Sequence, residues 1–221
     1  MDDEARHVAV LLAAGGSTRL GRAKQLLRRD GETLVHRAAR LARATAPRQL
    51  LIVLGAHESM LRAELADIDA TILCNPQWHT GLAGSLHCAA RALSGNTAPA
   101  LILGCDQPAL ELAHLQRLIV QADAAPSRCA AVLHAGVPGI PALVSAAMLD
   151  AAAGARGDHG LRASLRALPR TSIALLDAPE LCRDIDTDVD VELAIAAGLL
   201  DRSVDEYSKL AGHGPAPTGA L

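Results

Sequence analysis

The chain contains 221 residues with a net charge of −3, and its aromatic residues are one Trp, one Tyr and no Phe. This length suits one domain whose core must be built from Leu, Ala, Val and Ile, and the interspersed charges argue against nucleic acid as a partner. Because the five cysteines form no C-x-x-C pair, and neither a membrane-spanning stretch nor a signal peptide is visible, we expect a cytoplasmic protein without a structural zinc site or disulfides.

Short apolar runs alternate with amphipathic helical patterns along the chain. This alternation predicts an α/β fold with a mostly parallel sheet that helices cover on both faces. The predicted strands are 8–12, 50–54, 70–74, 100–104, 129–134, 140–144 and 172–176, and the predicted helices are 33–46, 59–66, 85–93, 112–122, 146–153, 161–168 and 189–199. A Gly-Val-Pro-Gly turn at 136–139 predicts that the strands on either side of it form an antiparallel pair.

The periodic patterns end near residue 202. We therefore predict one domain over residues 1–202. Residues 203–221 end in a Gly- and Pro-rich stretch that cannot bury enough apolar surface to become ordered, which predicts a mobile tail.

The first predicted strand runs directly into a glycine-rich loop followed by a lysine. Gly15 and Gly16 would expose backbone N–H groups at the end of a buried strand, where phosphate oxygens approach closely. Lys24 is one of two lysines in a chain with nineteen arginines, which indicates a need for a compact positive charge at this position. The spacing fits neither a Walker motif nor the Gly-x-Gly-x-x-Gly dinucleotide fingerprint. The alternative interpretation is an ordinary turn with surface charges.

Two acidic motifs occur later in the chain. Asp106 follows a purely apolar run, at the crevice where open α/β sheets bind ligands. Asp184 and Asp186 precede the last helix and lie on the same side of an extended segment. Carboxylates at these places suit a hard cation. The structural alternatives are a turn or cap role for Asp106, and an N-cap role for Thr187 or Asp188 beside the second motif.

The pattern Leu-Ala-Ala-Gly-x-Ser-x-Arg-x-Gly-x-x-Lys at 12–24 resembles the signature loop of the MobA-like nucleotidyltransferase family, and is most similar to molybdenum cofactor cytidylyltransferases. Asp-Gln-Pro at 106–108 and Asp-Ile-Asp-Thr at 184–187 resemble two further motifs of that family, although Asp188 stands where Pro is usual. The resemblance implies a three-layer, Rossmann-like nucleotidyltransferase fold. It also implies that the loop wraps an NTP triphosphate and that Asp106 and Asp186 share Mg²⁺.

Three other segments match the family more loosely. Segments 75–78 and 81–86 resemble the part that contacts base and ribose, 139–143 resembles the strand beside the acceptor pocket, and 157–162 resembles a conserved turn; each is equally typical of a turn or a helix start. Ile140 stands where many members carry His. The resemblance implies catalytic roles for Lys24, Arg19 and Asp106, nucleotide contacts from Leu12, Ala13, Ala14, Gly15, Gly16, Ser17, Asn75, Gly81 and Ser85, and acceptor contacts from Pro141 and Asp158.

The implied reaction is Mg²⁺-dependent transfer of CMP from CTP to a phosphate-bearing acceptor, a molybdopterin-type cofactor, with release of pyrophosphate. Ala13-Ala14 is the form of the loop found in cytidylyltransferases, and an apo-molybdoenzyme is the implied partner. Three other interpretations stay open: a sugar-phosphate or alcohol acceptor, a reductase that binds a nicotinamide or flavin nucleotide, and a maturation factor without catalysis. The spacing of the nine His residues and the lack of a Gly-x-Ser-x-Gly elbow argue against a catalytic zinc site and a serine hydrolase.

Overall fold

The computed structural model describes residues 7–153 and 160–202, which contain a seven-stranded sheet and a small hairpin. The strands are β1 (Val8–Leu12), β2 (Arg28–Arg29), β3 (Glu32–Thr33), β4 (Leu50–Leu54), β5 (Thr71–Cys74), β6 (Ala100–Gly104), β7 (Ala130–His134), β8 (Val137–Val144) and β9 (Ala174–Leu176). The helices are α1 (Leu34–Ala44), α2 (Glu58–Glu64), α3 (Leu82–Ala92), α4 (Leu112–Ala124), α5 (Ala146–Ala153), α6 (Gly160–Ala167) and α7 (Asp188–Ala196). Short 3-10 helices lie at Lys24–Leu26, Trp78–Thr80 and Pro179–Cys182.

The large sheet has the strand order β5-β4-β1-β6-β8-β7-β9. Strand β1 pairs in parallel with β4 and β6, and β7 pairs in parallel with β9. Within the described sheet, β8 alone runs antiparallel to its neighbours β6 and β7. The prediction of a mostly parallel sheet with a late antiparallel pair is therefore confirmed.

Successive side chains of β1 enter two different cores, as the two-residue period of a strand requires. Ala9 and Leu11 pack in one cluster with α1, α2 and α4, whereas Val8, Val10 and Leu12 pack in the other with α3, α5 and α6. The buried hydrophobic side chains of the described chain are aliphatic apart from two cysteines. The three-layer arrangement and the aliphatic core agree with the sequence prediction.

A third, smaller cluster joins α7 to the loop after β1. Leu20 of that loop packs with Leu34, Ile185 and Val191 among the buried residues of the cluster. This contact holds the segment before α7 against the loop, although the two lie far apart in the sequence.

The hairpin β2–β3 is absent from the sequence prediction. Asp30 and Gly31 connect its strands with φ values of 55° and 78°, which is the Asp-Gly signal of a tight hairpin turn. We missed this signal because each strand is only two residues long and mostly charged, without an apolar alternation. Strand β8 and helix α3 each begin three residues before the predicted start.

Two sequence predictions concern residues that the structure does not describe. The predicted tail, 203–221, and residues 157–159 of the turn at 157–162 lie outside the described residues, so the domain boundary at 202 stays a prediction. Among the helices of the described ranges, none is long and apolar enough to cross a membrane.

The hairpin is tied to α1 and to the residues after α2 by a cluster of ionisable groups. Glu32 accepts hydrogen bonds from Arg40 Nε at 2.8 Å and from His36 Nδ1 at 2.6 Å, and His36 Nε2 donates to Asp67 at 3.1 Å. The bonds from Arg40, with His36 adding to them, lower the pKa of Glu32 to about 2. Burial opposes the charge on His36, but the bonds to Glu32 and Asp67 prevail and raise its pKa.

Because its folded-state pKa is raised, protonated His36 stabilises the fold fully below its unfolded pKa of about 6.5, and this contribution is lost as pH rises through the folded pKa. We expect His36→Gln to lower the free energy of unfolding by about 0.5 to 1 kcal/mol at pH 5.5 and by less at pH 9. Urea unfolding at both pH values measures this difference. Arg62→Gln, which breaks the exposed Glu58–Arg62 pair, is the control and should show no such pH dependence. An equal loss at both pH values in His36→Gln would contradict the assignment.

Candidate active site

The loop after β1 begins in register with the ends of two neighbouring strands. Leu12 is paired with Val53 on one side and with Gly104 on the other, so the loops that follow β1 and β6 leave the sheet together. Ala13 N–H donates to Val53 O at 2.9 Å, and Ala14 O accepts from Ala56 N–H at 3.0 Å, which extends the strand by two residues. The glycines then follow at the sheet's edge, where ligands bind in open α/β folds.

Gln25 fixes the shape of this loop from beneath. Its side chain is 1% exposed, and its Nε2 donates to Gly15 O at 2.6 Å and to Ala13 O at 3.2 Å. Its Oε1 accepts from Ser17 Oγ at 3.3 Å, and Ser17 Oγ in turn accepts from Lys24 N–H at 3.2 Å. One buried amide thus holds both arms of the loop. Gln25 is absent from the residues predicted for the site; the available signal was a single amide directly after Lys24, before Leu26 and Leu27.

The side chain of Lys24 lies between the two predicted metal-binding carboxylates. Its Nζ donates to Asp106 Oδ2 at 2.9 Å and to Asp186 Oδ1 at 2.8 Å, while Arg19 donates to Asp186 Oδ2 at 2.6 Å. Burial works against the charge on Lys24, but the two carboxylates outweigh it and raise the pKa of the ammonium. Burial likewise opposes the charge on Asp186, and the bonds from Lys24 and Arg19 lower its pKa. The Lys24 ammonium and the Asp186 carboxylate are therefore both charged at neutral pH.

Backbone contacts bring the two acidic segments together. Ile185 N–H donates to Asp106 O at 2.9 Å, so the segment before α7 is attached directly to the loop after β6. Gln107 Nε2 donates to Leu181 O at 3.1 Å and to Ile140 O at 3.3 Å, which ties the same loop to two further segments. A Cβ on Gly104 would lie 2.7 Å from Asp106 Oδ1, so the glycine leaves room for the carboxylate to fold back.

In the acidic motif before α7, different residues cap the helix and contact Lys24. Thr187 is the N-cap of α7, and its Oγ1 accepts from Asp190 N–H while Asp190 accepts from Thr187 N–H at 2.7 Å. Asp188 is the first residue of the helix and pairs with Arg22 at 3.2 Å, where a negative charge suits the helix dipole. The unusual Asp188 therefore does not disturb the helix start, and the Asp186 carboxylate is left to contact Lys24.

A cavity of about 210 Å³ opens between the loop and α3. Its polar and charged lining includes Gly15, Lys24 and Asp106, and its apolar lining includes Leu12, Trp78, Leu82 and Ile140. The rest of its lining is Ala13, Ala14, Gln25, Gly81, Ser85, Gly104 and Cys105.

The one tryptophan of the chain forms a wall of this cavity. A Cβ on Gly16 would lie 2.5 Å from Trp78 Cζ3, and a Cβ on Gly55 would lie 2.5 Å from Trp78 Cβ. Gly16 therefore makes room for the indole ring, a different reason for a glycine from the phosphate contact that the sequence suggested.

Not every predicted nucleotide contact lines the cavity. Leu12, Ala13, Ala14, Gly15, Gly81 and Ser85 do. Asn75 does not: it is 2% exposed, its Nδ2 donates to Ser85 Oγ at 3.2 Å, and its Oδ1 accepts from Gln77 N–H at 3.0 Å. Asn75 therefore supports Ser85, and the nucleotide contact predicted for Asn75 stays a prediction. Ser17 lies in the loop and is bonded to Gln25 rather than facing the cavity.

A larger cavity of about 410 Å³ adjoins the first and shares Leu82, Asp106 and Ile140 with it. Its other lining residues are Gln107, His134, Gly139, Leu161, Arg162, Leu165, Cys182 and Asp184. Pro141, predicted on the acceptor side, is itself buried in β8, and its neighbour Ile140 lines the cavity instead. Asp158, the other predicted acceptor residue, lies outside the described residues. Burial and the nearby Asp106 raise the pKa of Asp184.

The described residues contain no cluster of three or more His, Cys, Asp or Glu that could hold a metal ion unaided. Asp106 and Asp186 nevertheless reach a single cation, since both contact the Lys24 ammonium within 2.9 Å. Two carboxylates with further oxygens from a bound phosphate match the coordination that Mg²⁺ prefers. The residues present therefore fit a divalent cation that binds together with a phosphate ligand.

These parts define a nucleotide-binding α/β enzyme with a glycine-rich phosphate loop and paired carboxylates. Residues 9–172 match the MobA-like NTP transferase domain, and the chain belongs to this family. The family predicted from the motif at 12–24 is thus confirmed, and the chain is a nucleotidyltransferase.

The chain is similar to proteins with more than one activity in their names. It is 32% identical to "Nicotine blue oxidoreductase" of Paenarthrobacter nicotinovorans over 192 residues, which cover 83% of this chain and 90% of that protein. It is 35% identical to "Probable molybdenum cofactor guanylyltransferase" of Synechococcus elongatus over 126 residues, 57% of this chain and 63% of that one.

Solved structures show the same fold. Rv0371c from Mycobacterium tuberculosis H37Rv has a TM-score of 0.72 at 27% identity, over 87% of this chain and 98% of that chain. A structure of Rv0371C in complex with manganese has a TM-score of 0.64 at 24% identity, over 95% of this chain and 100% of that chain.

Gln25→Leu should leave the carbonyls of Ala13 and Gly15 without their buried donor, at a cost of about 1 to 3 kcal/mol for each group. We expect a nucleoside triphosphate to bind at least ~10-fold more weakly, because the loop N–H groups lose their fixed direction. Calorimetry with each NTP on the variant and on Gln49→Leu, an exposed amide that bonds Thr71, measures the effect. Unchanged NTP affinity in a folded Gln25→Leu protein would show that the loop keeps its shape without the amide.

Proposed function

We propose that the enzyme transfers CMP from CTP to a phosphate-bearing acceptor, a molybdopterin-type cofactor, and releases pyrophosphate. The observation that carries this proposal is the contact of Lys24 with both Asp106 and Asp186, beside a cavity that Lys24 and Asp106 line together with the glycine-rich loop. Phosphoryl-type transfer asks a protein mainly for positioning and for neutralisation of charge, and this arrangement supplies both.

The two adjoining cavities suggest where the two substrates lie. The apolar lining of the smaller cavity suits a nucleoside, with the triphosphate along Gly15 and Lys24, and the larger cavity suits the acceptor. Asp106 lines both cavities, so the α-phosphate would lie near it. In-line transfer requires the acceptor to approach the α-phosphorus on the side away from the leaving pyrophosphate.

The residues would act by charge and direction. Lys24 would donate to oxygens of the α-phosphate as negative charge develops there, and Arg19 would hold the outer phosphates. Asp106 and Asp186 would bind Mg²⁺, which when present neutralises phosphate charge and polarises the phosphorus centre. The manganese complex of Rv0371C supports a divalent cation in proteins of this fold.

The acceptor phosphate supplies its own nucleophile. A phosphate monoester has a second pKa of about 6, so it is largely dianionic at neutral pH. One of its oxygens forms the new bond to the α-phosphorus, and the bond to the bridging β-phosphate oxygen breaks as pyrophosphate leaves with that electron pair. No general base is needed. A sugar-phosphate acceptor that reacts through its phosphate would follow the same path, whereas an alcohol would need a base.

The preference for CTP rests on Ala14, which lines the smaller cavity. Its methyl group narrows the space available to a base, and a pyrimidine needs less room than a purine. The likeness to a probable guanylyltransferase makes GTP the competing donor.

A second candidate function comes from the relative named "Nicotine blue oxidoreductase", which matches 83% of the chain. In that case the smaller cavity would bind a redox nucleotide. The loop lacks the Gly-x-Gly-x-x-Gly pattern typical of dinucleotide sites. A flavin absorbance in the purified protein, or NAD(P)H oxidation without pyrophosphate release, would favour the oxidoreductase.

A maturation factor without catalysis would release no pyrophosphate and consume no NAD(P)H. Delivery of the product to an apo-molybdoenzyme in the cytoplasm is part of the transferase proposal.

Asp106→Asn is nearly isosteric but removes a charged ligand from a hard cation. We expect pyrophosphate release from CTP, in the presence of Mg²⁺ and molybdopterin, to fall at least ~10²-fold. Asp69→Asn, which neutralises an exposed carboxylate that pairs with Arg43, is the matched control and should retain activity. Near-normal turnover in Asp106→Asn would disprove the role of Asp106 as a metal ligand.

The base preference can be tested by competition between CTP and GTP for one acceptor. A methyl-sized difference corresponds to about 10- to 200-fold in kcat/KM, so we expect a CTP preference of that order. Ala14→Gly should reduce the ratio of kcat/KM for CTP to kcat/KM for GTP, because the wider pocket would admit the purine. If the unmutated enzyme uses GTP as well as or better than CTP, the assignment of CTP is wrong.

A further inference from the structure

The ammonium of Lys24 lies where a divalent cation shared by Asp106 and Asp186 would have to bind. Lys24 Nζ contacts Asp106 Oδ2 at 2.9 Å and Asp186 Oδ1 at 2.8 Å, and its side chain is 15% exposed. The second oxygen of Asp186 is bonded to Arg19 at 2.6 Å. Three of the four carboxylate oxygens in this pair therefore already have a cationic donor.

The same four residues form a neutral group. Two carboxylates are balanced by one ammonium and one guanidinium, so the group exerts little net attraction on a divalent cation. Such a cation must also displace Lys24 or Arg19 from the carboxylate oxygens to which they are hydrogen-bonded. Leaving the pair without Lys24 would instead place two negative charges together at the edge of the sheet, where they repel each other. Lys24 thus acts as the counter-ion that keeps the two carboxylates together.

The Lys24 ammonium can change its position while the backbone of the residue stays fixed. Its backbone is anchored, because its N–H donates to Ser17 Oγ and its carbonyl accepts from Leu27 N–H at 3.1 Å. The ammonium itself is a compact charge on a flexible four-carbon stem, so it can turn from the carboxylates to a phosphate in the adjoining cavity without moving the loop. The planar guanidinium of an Arg at this position would turn less readily from the two carboxylates to a phosphate.

We propose that Lys24 is an exchangeable internal counter-ion of the Asp106–Asp186 pair: it opposes divalent cation binding in the free enzyme, and the phosphates of a bound nucleotide draw it away. This inference rests on the proposed function, because it assumes that a triphosphate binds beside the loop. Its consequence is that nucleotide and metal bind with positive coupling, each favouring the other. A free enzyme in the absence of nucleotide would hold metal weakly.

The test is the affinity of the nucleotide-free protein for Mn²⁺, measured by electron paramagnetic resonance of the free ion. Lys24→Met should bind Mn²⁺ at least ~10-fold more tightly than the unmutated protein, within the ~5- to 150-fold range usual for coupled sites. Arg22→Met is the matched control, since it removes a positive charge from the same loop whose partner is Asp188 and not the pair. Equal Mn²⁺ affinity in Lys24→Met and the unmutated protein would overturn the proposal.

A second measurement uses the unmutated protein and does not depend on the folding of a variant. The chain has two lysines, so ¹⁵N-lysine labelling gives two side-chain ammonium signals, which Lys209→Arg assigns. We expect the Lys24 signal to stay in place with millimolar Mg²⁺ alone and to move when α,β-methylene CTP is added with Mg²⁺. A shift with Mg²⁺ alone, or no shift with both ligands bound, would refute the exchange.

These measurements separate the two proposals. Pyrophosphate release by the unmutated protein, together with an unaltered Mn²⁺ affinity in Lys24→Met, would reject the counter-ion role and leave the transferase in place. Tighter Mn²⁺ binding in Lys24→Met, together with no pyrophosphate release from any NTP by the unmutated protein, would support Lys24 as the counter-ion and reject the proposed reaction.

Discussion

Two carboxylates that share one ammonium ion organise the active site of this protein. Lys24 contacts Asp106, 82 residues away in the sequence, and Asp186, 162 residues away. Two uncompensated carboxylates repel each other, so the Lys24 ammonium stabilises their approach. This contact joins the glycine loop, the loop after β6 and the segment before α7, where we propose that a metal ion and a triphosphate meet.

The rest of the fold brings these three segments to one point. Parallel pairing of β1 with β6 makes both strands end at the same edge, so their loops leave side by side. The bond from Ile185 N–H to Asp106 O and the packing of Leu20 on Ile185 then attach the third segment. Buried amides complete the arrangement: Gln25 shapes the glycine loop, and Gln107 fixes the loop that carries Asp106. Neutral polar side chains thus fix the segments that carry the charged groups.

The sequence was sufficient to predict the three layers, the mostly parallel sheet and the candidate site residues Lys24, Asp106 and Asp186. Apolar periodicity and motif spacing, on which these predictions rest, depend on neighbours along the chain. The sequence was not sufficient to predict what long-range contacts decide. Asn75 reads as a ligand contact in a motif, yet it is buried beneath Ser85. The sequence suggested that Gly16 contacts phosphate, whereas in the structure Gly16 lies against the Trp78 ring. Gln25 carried little local signal, since its partners lie 10 and 12 residues earlier in the sequence and meet it only after the loop has formed.

The core of the described chain is aliphatic, and the one tryptophan lies in the wall of the smaller cavity instead. A family whose members differ in activity can keep such a scaffold and change the residues around the two cavities. In the proposed reaction Asp106 and Asp186 jointly bind the metal of a nucleotide complex. Anomalous diffraction from crystals grown with Mn²⁺ and α,β-methylene CTP tests this role most directly. We predict one Mn²⁺ peak within about 2.5 Å of oxygens from both carboxylates and of a nucleotide phosphate. A bound nucleotide whose Mn²⁺ contacts neither carboxylate would contradict it.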